Sequence, residues 1–137
     1  MKDLMYDEIE IGEELGPYEH TLTKASVQKY CSAVESRYPW QIEESGERIP
    51  IAPPTILGNL SFRLLETHFT RQPGTIHAKQ ELEFFHPIRL DRRVISKGRV
   101  LRKYLKRDKK WVVYEVHFYD ETGLELGRSE ITEVLPL

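Results

Sequence analysis

Few residues of this chain have both the type and the spacing to do chemistry. Its histidines are His20, His68, His77, His86 and His117, and none stands beside a cysteine or another histidine at metal-ligand spacing. A metal site is therefore not expected. The single cysteine, Cys31, falls on the apolar stripe of a predicted helix and reads as a small buried hydrophobe rather than a nucleophile. Thr55 and Asn59 lie about one turn apart near the start of a second predicted helix. There the partial positive charge of the helix end favours an anionic or polar ligand group, although capping and packing account for them as well. Trp40 follows Pro39 and suits either an apolar channel wall or a core plug, and His86 precedes Pro87 at a strand end, where it faces a cleft or makes a surface hydrogen bond. Glu35 closes the first helix, where a solvated carboxylate is the plainer reading than an acid or base.

The elements that must position these residues follow from periodicity and from the breakers. Tyr6 to Ile11 alternates and ends at Gly12, which predicts a short edge strand; Tyr18 to Leu22 predicts another. Thr23 can cap a helix in which Val27, Tyr30, Cys31 and Val34 share one face, and this helix must stop before Pro39. Gln41 to Arg48 is polar and reads as a surface loop. Pro53 and Pro54 bar a helix until its first turn, where a missing N–H is harmless, so the second helix is predicted over about Pro54 to Thr67. Its Ile56, Leu57, Leu60, Phe62, Leu64 and Leu65 cover more than one side, so other structure should wrap it. After Gln72-Pro73-Gly74 the pattern turns to strands: Ile76 to Phe84, Val94 to Leu105, Trp111 to Tyr119 and Leu124 to Val134, with a hairpin turn at Asp120-Glu121-Thr122-Gly123.

The chain's 137 residues fit one domain, and 20 basic against 22 acidic residues leave a formal net charge of −2. That balance argues against a nucleic-acid binder, which needs a basic excess on one face. The one basic run, Arg102 to Lys110, reads as a solvated hairpin tip with Asp108 in the turn; the phosphates of coenzyme A or an acidic carrier are the lesser reading. No apolar run approaches the roughly 20 residues that span a bilayer, and the first residues soon turn acidic, so neither a membrane partner nor a signal peptide is expected. One cysteine excludes an intramolecular disulfide, and the expected location is the cytoplasm.

Three stretches resemble the MaoC-like hydratases and dehydratases: Tyr6 to Gly12, Ile51-Ala52-Pro53-Pro54-Thr55, and Glu83-Phe84-Phe85-His86-Pro87-Ile88 leading to Asp91. The second is similar to the Ala-Pro-Pro-Thr signature of that family's N-terminal-type domain. The resemblance implies an α+β hotdog fold over residues 1–137, with an antiparallel sheet wrapped around a long central helix. It implies an acyl thioester as ligand, with coenzyme A or an acyl carrier as part of the substrate and no separate cofactor. It also implies a hotdog dimer, either with a second copy or with a different subunit.

Active members resembling this chain carry an Asp and a His in a loop reading Asp-x-Asn-Pro-x-His, and a His-Gly pair opening the central helix. Aligned on Pro39, this chain has Ser36 and Gln41 at the acid and histidine positions, and Pro53-Pro54 at the helix head. Neither Ser nor Gln exchanges a proton near neutral pH, and Pro54 has no N–H to offer an oxyanion. The expectation is a subunit of an enoyl-thioester hydratase or 3-hydroxyacyl dehydratase with no catalytic residue of its own, completed by a dyad-bearing partner. Thr55, Asn59, Trp40 and His86 are its candidate substrate contacts. The alternatives are a non-enzymatic or regulatory acyl-coenzyme A binder, and a thioesterase built on Glu35 or His86.

Overall fold

The computed structural model describes all residues, Met1–Leu137. Ten strands and two helices run in the order β1 (Lys2–Asp3), β2 (Glu14–Thr21), α1 (Lys24–Ala33), β3 (Trp40–Glu44), β4 (Glu47–Ala52), α2 (Ile56–His68), β5 (Phe69–Thr70), β6 (Ile76–Phe84), β7 (Ile88–Arg89), β8 (Arg93–Lys106), β9 (Lys109–Asp120) and β10 (Glu125–Leu135). The main sheet is antiparallel with strand order β2-β8-β9-β10-β6; β3, β4 and β7 form a second sheet, and β1 pairs with β5. The fold is α+β, an antiparallel sheet curled around α2.

Alternation decides which side of the sheet receives the helix. Val112, Tyr114, Val116 and Phe118 of β9 are all buried against it, with Ile131 and Leu135 of β10 and Val94 and Val100 of β8. One core of 23 buried residues runs from Leu4 to Leu135. From α2 it takes Ile56, Leu57, Leu60, Leu64 and Leu65. The wrapping of α2 is incomplete, because Asn59, Arg63 and Glu66 form an exposed stripe with half-buried Phe62 beside them. Cys31 is buried on α1, and burial pushes its thiol up, away from the reactive thiolate.

The turns follow the residues that make them. Arg107 and Asp108 both take positive φ, 53° and 59°, and close β8 onto β9 as a two-residue hairpin. At the next hairpin Asp120 Oδ1 accepts bonds from the Thr122 N–H (2.8 Å), the Thr122 hydroxyl (2.6 Å) and the Leu124 N–H (3.0 Å). Thr23 caps α1, its hydroxyl accepting from the Ser26 N–H at 3.1 Å.

Two expectations need correction. Tyr6–Glu8 is a single 3₁₀ turn rather than a strand, and Lys103 explains it: its ammonium lies 4.7 Å from the Tyr6 ring centre and donates to the Tyr6 carbonyl at 2.8 Å. The stretch Gln41 to Arg48 is not an open loop but most of a hairpin, β3–β4, turning at Ser45-Gly46 with φ of 52° and 79°. Its polar alternation is that of a ribbon largely exposed on both faces, where only Ile42, Ile49, Ile51 and Ala52 turn inward.

No helix is long and apolar enough to cross a membrane. The helix packs tightly onto the sheet at Gly127, where an added Cβ would lie 2.6 Å from the Glu83 carbonyl oxygen and 2.8 Å from Leu57 Cδ1. Gly127→Ala should therefore destabilise the chain by about 1–3 kcal/mol through overpacking, read as a lower urea midpoint at unchanged slope.

Candidate functional site

The head of α2 is built by its prolines. Pro53 and Pro54 supply no N–H, and the next carbonyl-to-amide bonds are tight: Ile56 N–H to the Pro53 carbonyl (3.0 Å), Leu57 to Pro54 (3.1 Å) and Gly58 to Thr55 (3.0 Å). Those three amides are thus already satisfied within the chain. Thr55, the first residue past the prolines, is exposed, and its N–H bonds to no other backbone group. The Thr55 side chain makes no capping bond; its hydroxyl oxygen instead accepts from the Tyr30 hydroxyl at 2.9 Å, which ties α1 to the start of α2.

The small sheet brings the other candidates to this end of the helix. Trp40 pairs with Ile51 on β4, and Ala52, two residues before Pro54, pairs with Ile88 on β7. His86 lies two residues before Ile88, held by Nδ1 donating to the Glu125 carbonyl at 2.9 Å, and its backbone N–H reaches the Leu126 carbonyl. Asn59 is exposed one turn along α2. Trp40, Thr55 and His86 therefore come from three segments that meet around the head of α2, with Asn59 on its open flank.

The loop residues that replace the acid and base take structural partners. Trp40 Nε1 donates to the Ser36 hydroxyl at 3.2 Å, so Ser36 serves as an anchor for the indole. Gln41 lies on β3 opposite Pro50, exposed. Glu35 is exposed at φ 54° just past α1, with no ion-pair partner. No group of three or more His, Cys, Asp or Glu residues is placed to hold a metal ion.

A cleft of about 160 Å³ opens beside His86, lined among others by Arg89, Arg92, Arg93 and Asp120. Arg89 is paired to Glu44, and Arg93 to Glu19 at 3.3 Å, while Arg92 has no ion pair. These arginines escaped the sequence reading, which weighed only the longer basic run; the spacing Arg89-x-x-Arg92-Arg93 directly after the Pro-Ile step was the available signal. The longer run lies at the other end. Leu57 packs at Gly127, level with Phe118, and Phe69 packs on Tyr114, so α2 advances along β9 from Phe118 toward Tyr114. The Arg107-Asp108 turn lies further along in that same direction, beyond the C-terminal end of α2.

A family model described as the FAS1-like dehydratase domain region matches residues 10–123. The chain belongs to this dehydratase family. Its fold is a hotdog, and the solved structures that it resembles share it. The (R)-hydratase from A. caviae involved in PHA biosynthesis superposes with a TM-score of 0.77 at 21% identity, over 94% of this chain and 98% of that one. The MaoC-like dehydratase from Rhodospirillum rubrum gives 0.75 at 20% identity, over 98% and 99%. The HadBC 3R-hydroxyacyl-ACP dehydratase complex from Mycobacterium tuberculosis gives 0.75 at 15% identity, over 90% and 96%. No curated protein sequence matches the chain.

A groove of about 730 Å³ lies not at the head of α2 but on the outer face of the sheet, lined by Lys97, Arg99, Glu115, His117 and Tyr119 among others. In it His117 bonds Glu125 through Nδ1 (2.5 Å) and Glu115 through Nε2 (3.1 Å). Burial of the ring pulls its pKa down, but the two carboxylates outweigh this and hold it above the usual histidine value. A histidine raised in the folded state stabilises fully below its unfolded value near 6.5 and loses that contribution as pH rises through the folded one. Between about pH 6 and 8 the melting temperature should fall by about 1–3 °C, and His117→Gln should flatten that segment of a thermal-melt pH series.

Proposed function

We propose that this chain is an acyl-thioester-binding subunit of an enoyl-thioester hydratase or 3-hydroxyacyl dehydratase, and that a second, dyad-bearing hotdog chain supplies the acid and base. The observation that carries the reading is the head of α2. A helix N-terminus is suited to receive a thioester carbonyl, yet Ser36 is spent on Trp40, Gln41 sits on an exposed strand, and Pro53-Pro54 bring no N–H to the head of α2. Hydration needs a base for the water and an acid for the α-carbon, and neither Ser nor Gln supplies one.

What the chain offers instead is positioning. The N–H of exposed Thr55, unpaired with any backbone group at the positive end of α2, can meet a carbonyl oxygen, with Asn59 one turn away and Trp40 giving an apolar wall. Arg92, without an ion pair beside His86, suits a negative group on the carrier arm. The likeness to the HadBC complex supports a hotdog that works in a mixed pair. No metal or redox cofactor enters this reading, and coenzyme A or an acyl carrier arrives as part of the substrate.

The test is hydration of crotonyl-coenzyme A, followed by loss of the enoyl absorbance. The purified chain alone should be silent, and adding a hotdog chain that carries Asp-x-Asn-Pro-x-His from the same source should raise the rate by a factor on the order of 10³ or more. Robust hydration by the chain alone would overturn the reading and return attention to Glu35 and the histidines. Tight acyl-coenzyme A binding with no activity in any mixture would favour the sensor or regulatory alternative.

A further inference from the structure

The hairpin end of the main sheet carries charged and apolar groups that the proposed function does not use. From Arg102 to Lys110 there are six cations and one carboxylate, Asp108, while the whole chain has a formal net charge of −2. The rest of the molecule is therefore acidic, and an excess of positive charge is gathered at one end. Arg102 is paired with Glu130 at 3.3 Å, and Lys103 is held by the carbonyl and ring of Tyr6. Lys106, Arg107, Lys109 and Lys110 make no ion pair.

The strand register lays an apolar row beside those cations. Tyr104 stands opposite Trp111, Trp111 opposite Val134, and Val134 opposite Ile76, so one row crosses β8, β9, β10 and β6. Directly opposed residues share a face, and Val112, next to Trp111, is buried against α2; the row therefore lies on the outer face. The Tyr104 and Trp111 rings stack 6.0 Å apart at 4°, and the indole N–H donates to the Lys106 carbonyl at 3.2 Å, which draws the ring toward the turn. Ile76 closes the row and is 56% exposed. Lys106 and Lys109, opposite each other, lie on the same face between the row and the turn. Behind the row Lys79 pairs with Glu81 and Arg102 with Glu130. Free ammonium groups thus come first, then aromatic and aliphatic groups, then neutralised pairs.

We infer that this end of the sheet docks on an anionic lipid surface. Lys106, Arg107 and Lys109 meet the lipid phosphates, and the row from Tyr104 to Ile76 rests at the level of the headgroups. Tyrosine and tryptophan suit that level because each joins an apolar ring to a polar group. Each lysine or arginine near an anionic surface adds about fivefold in affinity. The row is about 14 Å wide, three strand spacings, and can lie along a plane. That no helix is long and apolar enough to cross a membrane concerns crossing only, not a contact of this kind. Two other anionic partners fit less well. An acidic carrier docked here would hold its thioester about 30 Å from the head of α2, by the rise of β9 between Phe118 and the turn. A nucleic-acid strand running on along the outer face would meet Glu83, Glu115 and Glu130, whereas a planar surface touches only the end of the sheet. Docking at this end does not depend on the acyl-thioester reading.

Co-sedimentation of the full chain with lipid vesicles, without substrate, tests it separately from the hydration assay. Vesicles of phosphatidylcholine and phosphatidylserine should retain the chain, vesicles of phosphatidylcholine alone should not, and added salt should release it. Lys106→Glu/Lys109→Glu should lower the partition coefficient by about thirtyfold or more, since two attractive charges are lost and reversed. Ile76→Ser, distant in sequence but on the same row, should lower it by about threefold or more. Leu105→Ser, at a side chain 68% exposed on the opposite face, should leave it unchanged. All four positions are exposed, and circular dichroism checks that each variant folds. No retention, or equal retention by both kinds of vesicle, overturns the inference. So does a loss on Leu105→Ser as large as that on Ile76→Ser, because the outer face would then not be the contact. Tighter binding to a single-stranded oligonucleotide than to the anionic vesicles overturns it as well.

Discussion

Everything in this molecule depends on how closely α2 can lie in the curled sheet. Leu57 and Leu64 enter gaps floored by Gly127 and Gly98, where an added Cβ would come within 2.8 Å of Leu57 Cδ1 and 3.1 Å of Leu64 Cδ2. Protein interiors are packed to the density of organic crystals, so such a contact fixes the helix in depth as well as direction. Because the depth is fixed at Gly127, the head of α2 is held level with β6 and the start of β10. The segments bearing Trp40, Thr55 and His86 are thereby brought to one end.

The same packing leaves polar groups in unusual places, and not all are satisfied: Ser96 Oγ, the Tyr114 hydroxyl and Glu133 Oε1 are buried without a hydrogen bond. Ser61 faces inward and turns its hydroxyl to the Leu57 carbonyl at 2.8 Å. Glu133 is fully buried near the far end of the helix, paired with Arg71; burial pushes its carboxyl up while the Arg71 charge opposes this. Tyr114 shares that corner, and its own burial together with the Glu133 charge keeps its hydroxyl protonated. A buried pair of this kind contributes little net stability over an apolar replacement, but losing one partner is costly. The outer face of the sheet is different in kind. Arg128 reaches Glu83, Glu115 and Glu130, and Arg99 reaches Glu115, in a partly solvated network where each contact is weak.

The head of α2 combines two features that pull against each other. A helix N-terminus is a natural place for a developing negative charge, because several backbone donors converge there. Two consecutive prolines delete two of those donors, and the tight first turn consumes the next three after Thr55. What remains is the one N–H of Thr55 without a backbone partner, on a proline-set frame, with Tyr30 bracing the Thr55 side chain. Such an end can orient a carbonyl but lacks the groups to move a proton.

The main strands were legible because each alternates cleanly and stops at turn residues of fixed chemistry, such as Asp108 and Asp120-Glu121-Thr122-Gly123. The helices were legible for similar reasons, one capped by Thr23 and the other opened by Pro53-Pro54. The absence of a proton-transfer pair was also written in the residue types, since no packing can make Ser36 or Gln41 an acid or base. The hairpin from Trp40 to Ala52 was not legible, because an edge ribbon solvated on both faces has no hydrophobic period to read. Nor was the turn at Tyr6–Glu8, which depends on Lys103 arriving from nearly a hundred residues away. Tertiary structure alone decided that the basic run and the head of α2 lie at opposite ends, and that Arg89, Arg92 and Arg93 line a cleft beside His86. The sequence determined which groups this protein has and which it lacks; only the depth and direction of α2 in the sheet decided which of them meet.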